Sequence, residues 1–107
     1  MSSLNKLAKQ IAEGVKARGF RTPTEIGVCP MCGQDPTIAK LGLVGTEIAE
    51  AMEAARKNDR ANFDEEIADT FIRLFDMVGA MGIDLDAILA AKEKKNANRP
   101  KLHGKTC

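Results

Sequence analysis

Apolar residues recur three and four positions apart along this chain, stretch after stretch, and no segment is bounded and patterned as a strand. That period is the period of a helix, and it leaves no room for a half-solvated sheet. The first stretch carries Leu4, Leu7, Ala8, Ile11 and Val15, with Ser2 or Ser3 to cap it and Gly19 to end it near Arg18. The second opens at Asp35-Pro36, an N-cap followed by proline at the first helical position. Its stripe is Leu41, Val44, Ile48, Met52 and Ala55, and it runs out near Lys57-Asn58-Asp59. The third, capped by Asp59 or Asn62, carries Phe63, Ile67, Phe71, Leu74, Phe75, Val78 and Met81 and ends near Gly79 or Gly82. The fourth starts at Asp84 and stops near Ala97, because Arg99 precedes Pro100 and is biased out of helix. Residues 20–35, broken by Pro23, Gly27, Pro30 and Gly33, read as a loop. The expectation is an all-α helical bundle of about four helices whose central pair, the second and third, packs antiparallel through these stripes.

At 107 residues this is one domain, residues 1–107, large enough for a core yet marginal alone. The chain has no Trp or Tyr and only four Phe, so its core must come from Leu, Ile, Val, Met and Ala. Ile72 and Met77 fall off the main stripe of the third helix and expose apolar surface that a second copy would cover. Oligomerisation is therefore expected to complete the bundle. A net charge of +1 and the lack of aromatic stacking residues argue against a general nucleic-acid binder. No stretch is apolar enough for a bilayer span or a signal peptide, so the expectation is a cytoplasmic protein with no membrane partner.

Two acid pairs sit on the central helices: Glu47-x-x-Glu50 and, after residues 51–65, Glu66-x-x-Asp69. Residues three apart on a helix share a face, with Cβ atoms about 5–6 Å apart, so each pair is a claw of two carboxylates. The intervening length lets one helix end, turn and return beside the other, which brings the four acids together at the rim of the core. Apolar packing gives no reason to gather them there, and such a group is costly without a cation; hard ions such as Mg²⁺ take oxygen ligands of this kind. Glu53 with Lys57, and Glu65, read as solvated surface charge, and Asp69 with Arg73 as a surface pair.

These residues resemble a known family. Glu47, Glu50, Glu66 and Asp69, within Gly45–Glu53 and Asp64–Asp69, are similar to the signature of MazG-like nucleotide pyrophosphohydrolases in the all-α NTP pyrophosphatase superfamily. Asn96, Arg99, Pro100, His103, Gly104 and Lys105 follow the order of a C-terminal run that many members carry. The resemblance covers residues 37–105. It implies Mg²⁺-dependent hydrolysis of a ribo- or deoxyribonucleoside triphosphate to the monophosphate and pyrophosphate, with Mn²⁺ as a substitute ion. It also implies assembly as a dimer or as a tetramer built from two dimers. In that scheme Glu47, Glu50, Glu66 and Asp69 hold the metal, and Glu47 or Glu50 takes the proton of the attacking water. Lys92, Lys95, Asn96, Arg99 and Lys105 bind phosphate or sugar oxygens. Without the resemblance, the basic stretch 92–107 would read as a solvated tail.

The departure from the family is Cys29-Pro30-Met31-Cys32-Gly33, which has the form of a zinc knuckle. Cys29 and Cys32 are candidate ligands of a structural Zn²⁺, with His103 and Cys107, or the knuckle of a symmetric copy, to complete the set. The plainer reading is two reduced thiols or a redox pair. The rival function is accordingly a zinc-stabilised binding or regulatory module without catalysis. A carboxylate-bridged di-iron bundle is disfavoured, since it uses Glu-x-x-His and these helices hold no histidine.

Overall fold

The computed structural model describes residues 3–99 and contains four helices: α1 (Leu4–Ala17), α2 (Pro36–Arg56), α3 (Arg60–Met81) and α4 (Leu85–Ala97). No strand occurs among the described residues, as expected. Each helix begins where a short polar side chain takes over an orphan backbone donor. Ser3 Oγ accepts from Lys6 N–H at 3.0 Å, Asp35 Oδ1 from Thr37 at 3.0 Å, Asp59 Oδ1 from Asn62 at 3.1 Å and Asp84 Oδ1 from Ala87 at 3.2 Å. The third helix stops at Gly82, whose φ of +66° is the left-handed conformation that side-chain-bearing residues resist.

Helix α3 is the central element, packed against α1 on one side and α2 on another. The α1–α3 contact is close because it is built from small residues. Ala8 is fully buried, and a Cβ placed on Gly79 would strike the Ala8 carbonyl oxygen and approach the Ala12 methyl to 2.8 Å. Helices α1 and α4 meet at their starts, where each caps the other. Asp86 accepts the backbone N–H of Leu4 at 2.9 Å and of Asn5 at 3.1 Å, while Asn5 Oδ1 accepts those of Leu85 at 2.8 Å and Asp86 at 3.1 Å. Beyond that start α4 buries no residue.

The central pair is antiparallel, but the expected stripes turn inward only in part: Val44 is buried and Phe63, Phe75, Val78 and Met81 are partly buried. Helix α2 turns Thr37, Val44, Glu47, Ala51 and Ala54 inward. Leu41, Ile48 and Met52, expected in the core, are about half exposed, at 49%, 48% and 51%. Likewise Ile67, Phe71 and Leu74 of α3 are exposed, whereas Met77, expected outside, is buried at 7%. The physical reason is the contact itself: Ala51 and Ala54 give α2 a narrow face, and polar residues from both helices fill the remaining seam. The large apolar side chains are left on an outer face of α2 and α3. Ile72 is exposed, as expected.

Candidate active site

Glu47 projects from the inward face of α2 toward α3, which presents Glu66 and, one turn on, Asp69. A carboxylate oxygen of each lies within 4.8 Å of the other two. Glu47 is held in place: Arg73 Nε donates to its Oε1 at 3.0 Å, and its side chain is only 12% exposed. Glu66 is the strained member. Its Oε2 is buried without a hydrogen-bond partner, and its pKa is pushed up to about 7 by its hydrogen bond with Glu47, by burial, and by the charges of Glu50 and Glu47. The same contact, followed by Arg73, holds Glu47 below the usual carboxylate range. Without a cation Glu66 thus keeps a proton to higher pH than an ordinary carboxyl group. An orphaned buried oxygen among three hard donors fits a divalent cation such as Mg²⁺ or Mn²⁺, which would displace that proton.

Of the four expected acids, three converge. Glu50 is exposed; it sits near enough to Glu66 for its charge to act there, but outside the three-carboxylate cluster. The Asp69–Arg73 surface pair is not what forms: Arg73 reaches across the seam to Glu47 instead. That role was readable, because Arg73 lies two helical turns beyond Glu66 and so on the same face. Glu53 does pair with Lys57, at 3.6 Å, and also with Arg56, on the exposed end of α2.

Beside the cluster lies a cavity of about 330 Å³ walled by Glu47, Asp69, Arg73, Lys40, Arg18 and Phe20. Asp76 closes it from α3. This carboxylate is 5% exposed; Oδ2 accepts from Thr22 Oγ1 at 2.6 Å, while Oδ1 is buried without a partner. Arg18, Lys40, Phe20 and Asp76 were not foreseen. They come from the end of α1, the following loop, the start of α2 and the second half of α3, so no spacing in the sequence relates them. Chemically the site offers oxygen donors for a cation, three basic groups for an anion, an aromatic face, and one carboxylate oxygen free to accept an N–H.

The basic candidates lie elsewhere. Lys92, Lys95 and Asn96 are exposed on α4 and Arg99 follows it; none lines this cavity. Lys105 lies outside the described residues, as do His103 and Cys107. Cys29 and Cys32 are free thiols in the loop before α2. No helix among the described residues is long and apolar enough to cross a membrane.

Comparison with known proteins gives two matches. The profile of a family described as phosphoribosyl-ATP pyrophosphohydrolase matches residues 33–96, which contain all four acids, Lys40 and Arg73. A phosphoribosyl-ATP pyrophosphatase from Rhodobacter capsulatus is 43% identical over 51 residues, 48% of this chain and 50% of the relative. The match thus spans about half the length of that relative. No solved structure matches the chain.

Proposed function

Because the chain belongs to the phosphoribosyl-ATP pyrophosphohydrolase family, an all-α NTP pyrophosphatase-like family, we propose that it hydrolyses a nucleoside triphosphate between its α and β phosphates and releases pyrophosphate. Phosphoribosyl-ATP is the first candidate substrate, and unmodified ribo- and deoxyribonucleoside triphosphates the second. One observation carries the reading: Glu47, Glu66 and Asp69 converge within 4.8 Å, with the orphaned Glu66 oxygen among them, at the edge of a cavity walled by basic groups. Carboxylates alone would repel a triphosphate, and a basic pocket alone would bind it without activating water. Together they suit phosphoanhydride hydrolysis.

Glu47, Glu66 and Asp69 hold Mg²⁺ or Mn²⁺, with Glu50 as a further ligand or as the base. The bound ion supplies neutralisation of phosphate charge and a water of lowered pKa. Arg73 fixes Glu47 and keeps it ionised, which makes Glu47 a poor proton acceptor. Glu50, at the solvent edge beside Glu66, is the better-placed acceptor for the proton of the attacking water. Arg18 and Lys40 take the charge that builds on the leaving pyrophosphate. Phe20 offers a face for the base, and Asp76 Oδ1 an acceptor for an exocyclic amino group such as that of adenine.

The functional unit is a homo-oligomer, dimer or tetramer, in which the outer face of α2 and α3 meets a second copy. Lys92, Lys95, Asn96, Arg99 and Lys105 then serve substrate phosphates of a neighbouring site. Light scattering at micromolar concentration reads this assembly, and a monomer mass would count against it. The activity itself is tested by following pyrophosphate and orthophosphate separately, with Mg²⁺, on phosphoribosyl-ATP and a panel of nucleoside triphosphates. Pyrophosphate from at least one is expected. Orthophosphate alone, or no turnover on any, would sink the reading.

A further inference from the structure

Residues 18–35 pose a problem that the carboxylate site does not answer. Loops longer than about 12–15 residues without structure of their own are uncommon in compact domains and usually serve a purpose. This one contains no buried residue, and it leaves Phe20, Ile26, Val28 and Met31 exposed. Two side-chain hydrogen bonds tether it: Thr22 to Asp76, and Thr37 Oγ1 to the Glu25 carbonyl at 3.3 Å. Its most regular part involves neither of them. The Cys29 N–H donates to the Gln34 carbonyl at 2.7 Å, and the Gly33 N–H donates to the Cys29 carbonyl at 2.8 Å. Gly33 closes that turn at φ +74°. The backbone N–H groups of Cys32 and Met31, followed by the Cys32 thiol, hold the Cys29 thiol below its ordinary pKa.

Apolar packing does not organise this turn, since Met31 at its tip is 94% exposed. Nor does a helix, since α2 begins only at Pro36. A redox Cys-x-x-Cys pair gains its reactivity from a helix N-terminus or a neighbouring cation; here the stabilising donors belong to the turn itself. Two adjacent sulfurs, supported by backbone N–H groups on a glycine-closed turn, make half of a tetrahedral thiolate site. We propose that Cys29 and Cys32 bind zinc as a knuckle, separate from the carboxylate cluster. The metal ties down the later part of a loop whose start is already held by the Thr22–Asp76 hydrogen bond. Binding replaces two thiol protons with two sulfur–zinc bonds, and the released protons go to solvent. Softness sorts the ions: thiolates select zinc, and the carboxylate cluster selects Mg²⁺. Two further nitrogen or sulfur ligands, from the same chain or from a second copy, complete the set.

The test is elemental analysis of wild type, Cys29→Ser and Cys32→Ser purified without chelator. It is joined to a Co²⁺ titration read by sulfur-to-cobalt charge-transfer absorption. The expected result is one zinc per chain, or one per two chains, absent from both variants together with the absorption band. Zinc at one per chain that is also lost in His103→Ala and Cys107→Ser places the remaining ligands in the same chain; one per two chains, unaffected by those changes, places them in a second copy. On unaltered protein, both thiols should resist alkylation until a chelator is added. Wild type with neither zinc nor charge-transfer absorption overturns the proposal, as does zinc that survives both cysteine substitutions. Pyrophosphate release by the cysteine variants, with helix content checked by circular dichroism, stays near wild type, so failure here leaves the enzymatic reading intact.

Discussion

The two faces of α3 are built on opposite principles. Toward α1 it presents Gly79 to Ala8 and Ala12, small groups whose backbones nearly touch. Toward α2 it presents Glu66 and Arg73 to Glu47, charged groups that occupy space a bundle would ordinarily fill with leucine. The first face gains dispersion contacts and excludes water; the second gives up apolar burial to gather oxygen donors. Sites of chemistry are where a chain breaks its own packing rules. Here one helix separates the obedient face from the disobedient one by a partial rotation.

The sharpest way to test that division is to neutralise the α2 face. Glu47→Gln, Glu66→Gln or Asp69→Asn should each lower pyrophosphate release by more than about 100-fold, since even outer-shell partners of a metal site cost about 10- to 100-fold. In Glu66→Gln and Asp69→Asn the metal-free melting temperature should hold or rise, because like charges have been relieved, whereas Glu47→Gln also loses the ion pair with Arg73; a marked fall in the first two would mean the acids are structural. The converse change is Gly79→Ala. Overpacking typically costs about 1–3 kcal/mol, and the obstacle here is backbone, so the upper part of that range is expected. In thermal unfolding it would appear as a fall of roughly 4–8 °C per kcal/mol, with turnover per folded molecule retained.

A subtler separation comes from pH. The folded Glu66 is raised from 4.5 to about 7, so it binds a proton more tightly folded than unfolded. Its stabilising contribution is complete below 4.5 and is lost as pH rises through about 7. Metal-free protein should therefore lose melting temperature across that window, Glu66→Gln should flatten the dependence, and added Mg²⁺ should oppose it. The lowered Glu47 acts only below the ordinary carboxylate range and does not confound the result. Smallest of all, Asn5→Ala should cost about 0.5–2 kcal/mol, the range for a lost cap, with no change in metal affinity.

The helices and their caps were legible because their signals are local: Asp35-Pro36, Asp59, Asp84 and Ser3 each act within three residues of themselves. The acid cluster was legible because helical spacing is local too. The phase of α2 was not. Val44 of the expected stripe is buried, but Leu41, Ile48 and Met52 outweigh Ala51 and Ala54 in size, so the rest of the stripe pointed to the wrong side. Small residues pack two helices closely, and bulk on the far face waits for something else. Nor could local spacing join Thr22 to Asp76, 54 positions away, or bring Arg18 and Lys40 to one cavity.

The reciprocal caps between Asn5 and Asp86 have a consequence for how the molecule comes into being. Their hydrogen bonds join residues 80 to 82 apart, so during synthesis α1 emerges long before the groups that satisfy its first turn. Closing so large a loop must precede any return from it, which slows folding relative to a bundle of purely local contacts. Until the start of α4 leaves the ribosome, the frayed first turn of α1 has only Ser3 to hold it. A chain cut after α3 would keep every carboxylate of the cluster and still lack the clasp that fastens its own beginning.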